Sequence, residues 1–447
     1  MIFSRSTTLS LKDAIPLLPE NLSVLYSAKE FHQELLSLIR TAKKRIYLTA
    51  LYLQDDDAGR EVLHAIYQAK QANPELDVCL FVDFHRAQRG LIGEGTSLGN
   101  RELYLSLSEQ YEHDINIYGV AVKSREFLGV LHLKGFVVDD VLLFSGASIN
   151  NVYLHVGDKY RCDRYHKFES KVLSNTFVNY LTTYFVGNNC APRINQTNVP
   201  SKKVIKQRCK KFKVELKNSE YKVENTESAR VPLSVIPLVG LGPKANKLNL
   251  TARKVFQVAN SNLVVFTPYF NLPKSLTADL LKALKRGVNV TVIVGDKTAN
   301  DFYITDEDKF STIGIVPYLY ERLLAIFIKK YQKYIDKGLL NIRLWKHESN
   351  SYHLKGVVAD DTYHLITGSN LNPRAWSLDL ENGLLVTDKQ QQLKAQWHKE
   401  LDNILQHTNR INSINDLQSV KDYPEKPKEL LRRIKWTQID RILKRFL

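Results

Sequence analysis

The chain is short of cysteine, of long apolar runs and of acidic side chains, and each shortage removes a class of protein. Its 447 residues include four cysteines, Cys79, Cys162, Cys190 and Cys209, with no CxxC pair and no metal-ligand spacing to histidine. Neither a disulfide framework nor a cysteine-based metal site is expected. Cys79 lies within an apolar run and reads as a buried free thiol. No stretch approaches the ~20 apolar residues that cross a bilayer. Asp13, Pro16, Pro19 and Glu20 interrupt the N-terminal segment, so no secretion signal is expected. Asp and Glu total 47 against 63 Lys and Arg, a net charge of +16. That excess implies an anionic partner, either nucleic acid or an acidic membrane surface.

What the chain does have is a nine-residue phrase used twice. His132-Leu133-Lys134-Gly135-Phe136-Val137-Val138-Asp139-Asp140 returns as His353-Leu354-Lys355-Gly356-Val357-Val358-Ala359-Asp360-Asp361, matching at seven of nine positions. In an extended strand, residues two apart share a face, so His132 with Lys134 and His353 with Lys355 would each present an imidazole beside an ammonium. Asp139 and Asp360 are an odd step further on, leave that face, and read as orienting or structural residues.

The surroundings repeat too. Arg45 to Leu53 and Leu76 to Asp83 precede the first phrase, and Leu263 to Phe270 and Val288 to Asp296 precede the second, with a helical stretch between the runs each time. Continuous β-branched runs alternating with helices predict an α/β fold of two fused lobes, each a mostly parallel or mixed sheet flanked by helices. The active site is expected at the lobe interface. The reading divides the chain into a polar lead-in (1–24), a first lobe (25–186), a basic connector (187–231), a second lobe (232–420) and a basic tail (421–447).

Two segments carry interleaved apolar and basic residues. An insertion at about 316–337, absent from the first lobe, places Tyr320 and Phe327 in a helical stripe beside Lys329 and Lys330. It fits a core-packed surface helix and a helix in a lipid interface equally well. From Lys426 to Leu447 the tail has eight basic residues, including Arg432, Arg433, Lys435, Lys444 and Arg445, against Glu429 and Asp440, with Trp436 among them. Each such charge near anionic lipid contributes about 1 kcal/mol, which favours membrane attachment here.

Two His-x-Lys units suit displacement at a phosphodiester. One histidine attacks phosphorus and becomes covalently linked, while the other moves protons to the leaving oxygen and from the incoming hydroxyl. Lys134 and Lys355 would stabilise the non-bridging oxygens, leaving no role for a metal or a cofactor. Zinc on the two histidines is disfavoured by the adjacent lysines and by the lack of a carboxylate or thiolate shell. The near-symmetry of the phrases leaves open which histidine attacks.

At these residues the sequence resembles the phospholipase D superfamily, whose two HxKxxxxD motifs match His132, Lys134, Asp139 and His353, Lys355, Asp360. Gly146 to Asn150 and Gly368-Ser369-Asn370 resemble its downstream Gly-Ser-x-Asn segment, with Asn370 or Asn372 facing the phosphate in the second copy. Asp163 and Glu381 fall where the superfamily places carboxylates that orient the histidines. Within the superfamily the chain is similar to the bacterial phospholipase D-like phosphatidylserine synthases, through Asp83 to Gly90, Tyr118-Gly119-Val120, Asp158 to Arg161, Gly295 to Tyr303 and Asn372 to Trp376. The resemblance implies a CDP-diacylglycerol donor, L-serine as acceptor, a phosphatidyl-histidine intermediate with His132 as nucleophile, and peripheral association with the inner face of the cytoplasmic membrane. Arg161, Arg164, Asp296, Lys297 and Arg374, charged residues near predicted strand ends, are candidates for gripping cytidine or serine. Transfer to water or another alcohol, as in a phospholipase or cardiolipin synthase, and a nuclease or nucleic-acid binder remain the alternatives. Aromatics interleaved with lysine fit lipid better than base stacking, so no nucleic acid partner is expected.

Overall fold

In the computed structural model, residues 13–89, 98–224, 231–305 and 310–436 are described. Two mixed sheets dominate. The first orders its strands Leu22–Leu25, Tyr165–Glu169, Val141–Ser145, Gly135–Val138, Arg45–Thr49, Asp77–Asp83 and Asn116–Val120. The second reads Ile15–Pro16, Leu233–Leu241, Leu380–Asp388, Tyr363–Thr367, Gly356–Ala359, Asn262–Thr267, Asn289–Gly295, Leu340–Trp345 and Thr408–Ile411.

The duplication is visible strand for strand. In each sheet three strands run parallel, Arg45–Thr49 with its two successors and Asn262–Thr267 with its two. The strand after each His-x-Lys pair joins antiparallel on the other side, and the remaining pairings there are antiparallel as well. Within these two sheets parallel pairing is confined to the strand-helix-strand portions, where a crossover returns the chain in the same direction.

The lobes share structure. Strand Arg161–Cys162 of the first pairs with Ser351–Tyr352 of the second, just ahead of His353. In the other half His132 N donates to Leu380 O at 2.9 Å. One apolar cluster combines Phe81, Val137 and Leu142 of the first sheet with Val235, Leu384 and Val386 of the second. Burial shared in this way makes the interface a core, not a hinge.

Segments expected to be peripheral are built in. Residues 13–24, within the expected polar lead-in, supply one short strand to each sheet, with Ile15 and Leu22 buried. The connector contains helix Lys202–Lys217, whose Ile205, Cys209, Phe212 and Leu216 face inward while Lys206, Arg208, Lys210 and Lys211 stay exposed. The insertion is helix Val316–Asp336. Its stripe faces protein: Leu324, Phe327, Ile328 and Tyr331 join the second-lobe core, and Tyr318, Leu319 and Tyr320 pack toward the tail. Tyr320 and Phe327 are therefore core residues, not lipid anchors, whereas Lys329 and Lys330 are exposed. Tail helix Glu425–Trp436 likewise buries Leu431 and Ile434 and exposes Arg432 and Arg433. Lys444 and Arg445, and the side chains of Lys435 and Trp436, lie outside the described residues. No described helix is long and apolar enough to cross a membrane.

Candidate active site

Both His-x-Lys pairs lie on short extended segments immediately before their strands, His132 ahead of Gly135–Val138 and His353 ahead of Gly356–Ala359. Residues two apart share a face, as expected. Asp139 and Asp360 occupy the opposite strand ends, with left-handed φ of 51° and 55°. Asp139 accepts from the backbone N–H groups of Lys43, Lys44 and Arg45, and Asp360 from those of Asn260, Ser261 and Asn262. Each clamps the start of the neighbouring strand. They fix the sheet that carries the histidine, a structural role in line with their place in the strand, and the motif match alone would have put them in the catalytic set.

The carboxylates that hold the histidines are exchanged between lobes. Nδ1 of His132 lies 2.8 Å from Oε2 of Glu381, a second-lobe residue. Nδ1 of His353 lies 2.7 Å from Oδ2 of Asp163, a first-lobe residue. All four side chains are buried. The backbone repeats the exchange: Lys134 N donates to Asn382 Oδ1 and Asn382 Nδ2 donates back to Lys134 O, both at 2.8 Å.

The glycines of the downstream segments admit these contacts. A Cβ on Gly146 would stand 2.6 Å from an oxygen of Asp163, and one on Gly368 would stand 2.7 Å from Cγ of Lys134. No larger residue fits either place without displacing a charged group of the site.

Burial sets the electrostatics. It holds both imidazoles well below their ordinary range, with Lys134 depressing His132 further and Lys355 doing the same to His353. It pushes Lys134 down to about 8 and Lys355 down to about 7. It raises Asp163, and it raises Glu381 to about 8 against the opposing pull of Lys134 and Lys355. Burial therefore favours neutral lysines, which are primed to gain charge beside an anion.

The two halves differ at the reactive nitrogen. Nε2 of His353 lies 3.1 Å from the Tyr153 hydroxyl and 2.6 Å from Lys355 Nζ. Nε2 of His132 has no hydrogen-bond partner among the described residues. Lys134 Nζ reaches Ser148 Oγ at 3.3 Å.

Other candidates separate. The Asn150 and Asn372 side-chain oxygens cap short helices by accepting from Tyr153 N and Ala375 N, and Asn150 Nδ2 donates to Gln54 Oε1 at 3.3 Å. Asn370 keeps a buried side-chain carbonyl oxygen without a hydrogen-bond partner among the described residues. Arg164 is bound by Glu400 at 2.6 Å and lies over Phe266, a structural junction between lobes and not a substrate contact. Asp296 caps the turn Lys297–Ala299, and Lys297 is held by Glu321 at 3.0 Å, so both serve local structure. Arg374 pairs with Asp379 at 3.2 Å and its charge reaches His132. Arg161 pairs with Asp301 at 2.7 Å.

Sequence reading missed Tyr153, Ser148, Asp301 and Asn382. Nothing in spacing marks a tyrosine on a four-residue helix, Asn151–Leu154, as the neighbour of a histidine two hundred residues away. Asn382 follows Glu381 directly and was within reach of the same signal.

Residues 253–405 match the profile of the family described as Cardiolipin synthase, PLD-like domain. The chain is 44% identical to the CDP-diacylglycerol–serine O-phosphatidyltransferase of Escherichia coli, over 96% of this chain and 95% of that protein. It is 45% identical to the enzyme of the same name from Haemophilus influenzae, again over 96% and 95%. A crystal structure of Haemophilus influenzae phosphatidylserine synthase superposes with a TM-score of 0.94 at 44% identity, covering 97% of both chains.

Proposed function

The chain belongs to the CDP-diacylglycerol–serine O-phosphatidyltransferases of the phospholipase D superfamily, and on that premise we propose that it moves its phosphatidyl group by two displacements, one histidine to each lobe. The observation that supports this is the exchange of carboxylates, Glu381 to His132 and Asp163 to His353, which draws both imidazoles to the lobe interface.

His132 is the nucleophile. With Nδ1 engaged by Glu381, its unpartnered Nε2 presents the lone pair, attacks the lipid-bearing phosphorus of CDP-diacylglycerol, and breaks the bond to the CMP oxygen. CMP leaves as a phosphate, a weak base that needs little help from an acid. Serine is the harder partner: its hydroxyl must lose a proton as it attacks, and Nε2 of His353 receives it. The P–N bond to His132 then breaks and phosphatidylserine is released. Lys134 and Lys355 regain full charge as anionic oxygens come between them and stabilise the transition state.

Access to a lipid donor needs a surface. We assign it to exposed Lys329, Lys330, Arg432 and Arg433, with Ile326 the exposed apolar residue of the same helix as the two lysines. Attachment is electrostatic, because the apolar stripes of both described helices are already spent on the protein core.

Supplying CDP-diacylglycerol with and without L-serine tests the reading. Phosphatidylserine and CMP should form together when serine is present. Phosphatidic acid as the main product in both tubes would assign a phospholipase instead.

A further inference from the structure

The mechanism leaves one half-buried charge cluster beside His353 unused. Arg161 Nη2 lies 2.7 Å from Asp301 Oδ1. Arg161 Nε donates to Ser351 Oγ at 3.1 Å, and its guanidinium sits 4.4 Å from the centre of the Tyr153 ring. The Tyr269 hydroxyl donates to Asp301 Oδ2 at 3.1 Å. Tyr153 in turn meets the His353 ring edge-on at 5.2 Å, with its hydroxyl on Nε2. One aromatic ring therefore separates this ion pair from the nitrogen that receives the acceptor proton.

A structural brace is the plainest use for such a pair. Taking two charges out of water costs more than their attraction commonly returns, so a buried pair needs a reason. Bracing is already supplied here by the strand pairing of Arg161–Cys162 with Ser351–Tyr352, and by Arg164 with Glu400. The pairs also differ in access: the Arg164 and Glu400 side chains are 2% and 9% exposed, those of Arg161 and Asp301 14% and 18%. Solvent reaches the second pair.

We propose that Arg161 and Asp301 form the subsite for an acceptor α-amino acid, the guanidinium taking its carboxylate and Asp301 its ammonium. Both charges of an α-amino acid sit on one carbon. Its entry replaces one ion pair by two, so neither protein charge is left unpaired. The hydroxymethyl group on that carbon is then held next to Tyr153, within reach of His353 Nε2. Alcohols that lack either charge leave one member of the pair uncompensated and are rejected, which supplies acceptor selectivity without any contact to the hydroxyl.

This rests on the reading of the chain as a serine transferase, and the test separates the two. Transfer to L-serine, to ethanolamine and to 3-hydroxypropionate is measured alongside exchange of labelled CMP into CDP-diacylglycerol, which needs no acceptor. Wild type making no phosphatidylserine would strike the underlying reading. With that activity present, Asp301→Asn should raise the serine KM at least about tenfold, the loss of one charge-assisted bond, and shift preference toward 3-hydroxypropionate. Arg161→Gln should shift it toward ethanolamine. CMP exchange should fall by a far smaller factor than the serine KM rises. If either variant fails to fold, Asp301→Glu and Arg161→Lys keep the charges and should raise the serine KM while retaining rejection of both analogues. An unchanged serine KM, unchanged acceptor ratios, or exchange lost in step with transfer overturns the proposal.

Discussion

His132 and Glu381 come from different lobes, yet their side chains meet at 2.8 Å in a buried contact. Asp163 and His353 repeat the contact in the opposite sense at 2.7 Å. Neither lobe holds its own histidine. A single lobe would have a His-x-Lys pair without the acid that fixes its tautomer.

Glu381→Gln and Asp163→Asn should therefore disable the chemistry while sparing the fold. An amide keeps the shape but cannot accept the Nδ1 proton as a carboxylate does. Turnover should fall by roughly 10²-fold or more, the scale of acid–base catalysis, with circular dichroism spectra unchanged. A steady-state kcat within a few-fold of wild type would show that the carboxylates are only packing partners.

Substrate binding should take up protons. Burial pushes Lys355 down to about 7 and Lys134 to about 8. An anion between them raises both, so at pH 8 each moves from partly neutral toward charged and protons come from solution. Calorimetric titration with CMP in buffers of different ionisation enthalpy should show uptake at pH 8 that fades below about pH 6. Lys355→Met should remove the larger share. Release of protons at pH 8 would reverse the sign of this account.

Burial of these lysines also costs folding stability. Their depressed values mean that the unfolded chain holds more protons between about pH 7 and 10.5, so stability attributable to them rises with pH through that window. Lys355→Met should abolish turnover and leave the melting temperature at pH 7 equal to or above wild type. A clear drop would mean that the ammonium stabilises the fold.

Asp139 and Asp360 should behave in the opposite way. Each accepts three backbone N–H groups at the start of a central strand. Alanine at either position should cost about 2 kcal/mol, the net contribution of hydrogen bonds to a charged group, since water can reach the N–H groups left behind. It also places a less tolerant residue at positive φ. Residual folded enzyme should keep most of its kcat, read from activity per folded molecule in a denaturation series.

Membrane attachment should follow charge. Reversing Lys329, Lys330, Arg432 and Arg433 together to glutamate should abolish sedimentation with anionic vesicles at low salt, and salt should weaken wild-type binding in the same way. Donor dispersed in detergent micelles should still be turned over. Binding unaffected by the four reversals would place the surface elsewhere.

Much of the site was legible because its rarest residues repeat in register. His132, Lys134, His353 and Lys355 announce themselves by duplication, and the same duplication gives matched sheets. Glu381 and Asp163 were placed by resemblance, but their exchange between lobes is a contact across some 190 to 250 positions, which no local pattern encodes. The helix Val316–Asp336 shows the limit of periodicity: an apolar stripe looks the same whether protein or lipid covers it, and here Phe327 and Tyr331 turn to the core. Arg164 and Arg161, three positions apart, looked alike as charged strand-end residues. Only the fold gives the first a sealed carboxylate partner and the second an open one beside His353.

The most direct measurement is to trap the enzyme with CDP-diacylglycerol labelled in its phosphatidyl group, without serine, and locate the label by peptide mapping. The account expects phosphatidyl-His132 in wild type, accumulation of the same adduct in His353→Ala, and none in His132→Ala. Label on His353, or serine transfer through His132→Ala at wild-type rate, would contradict it.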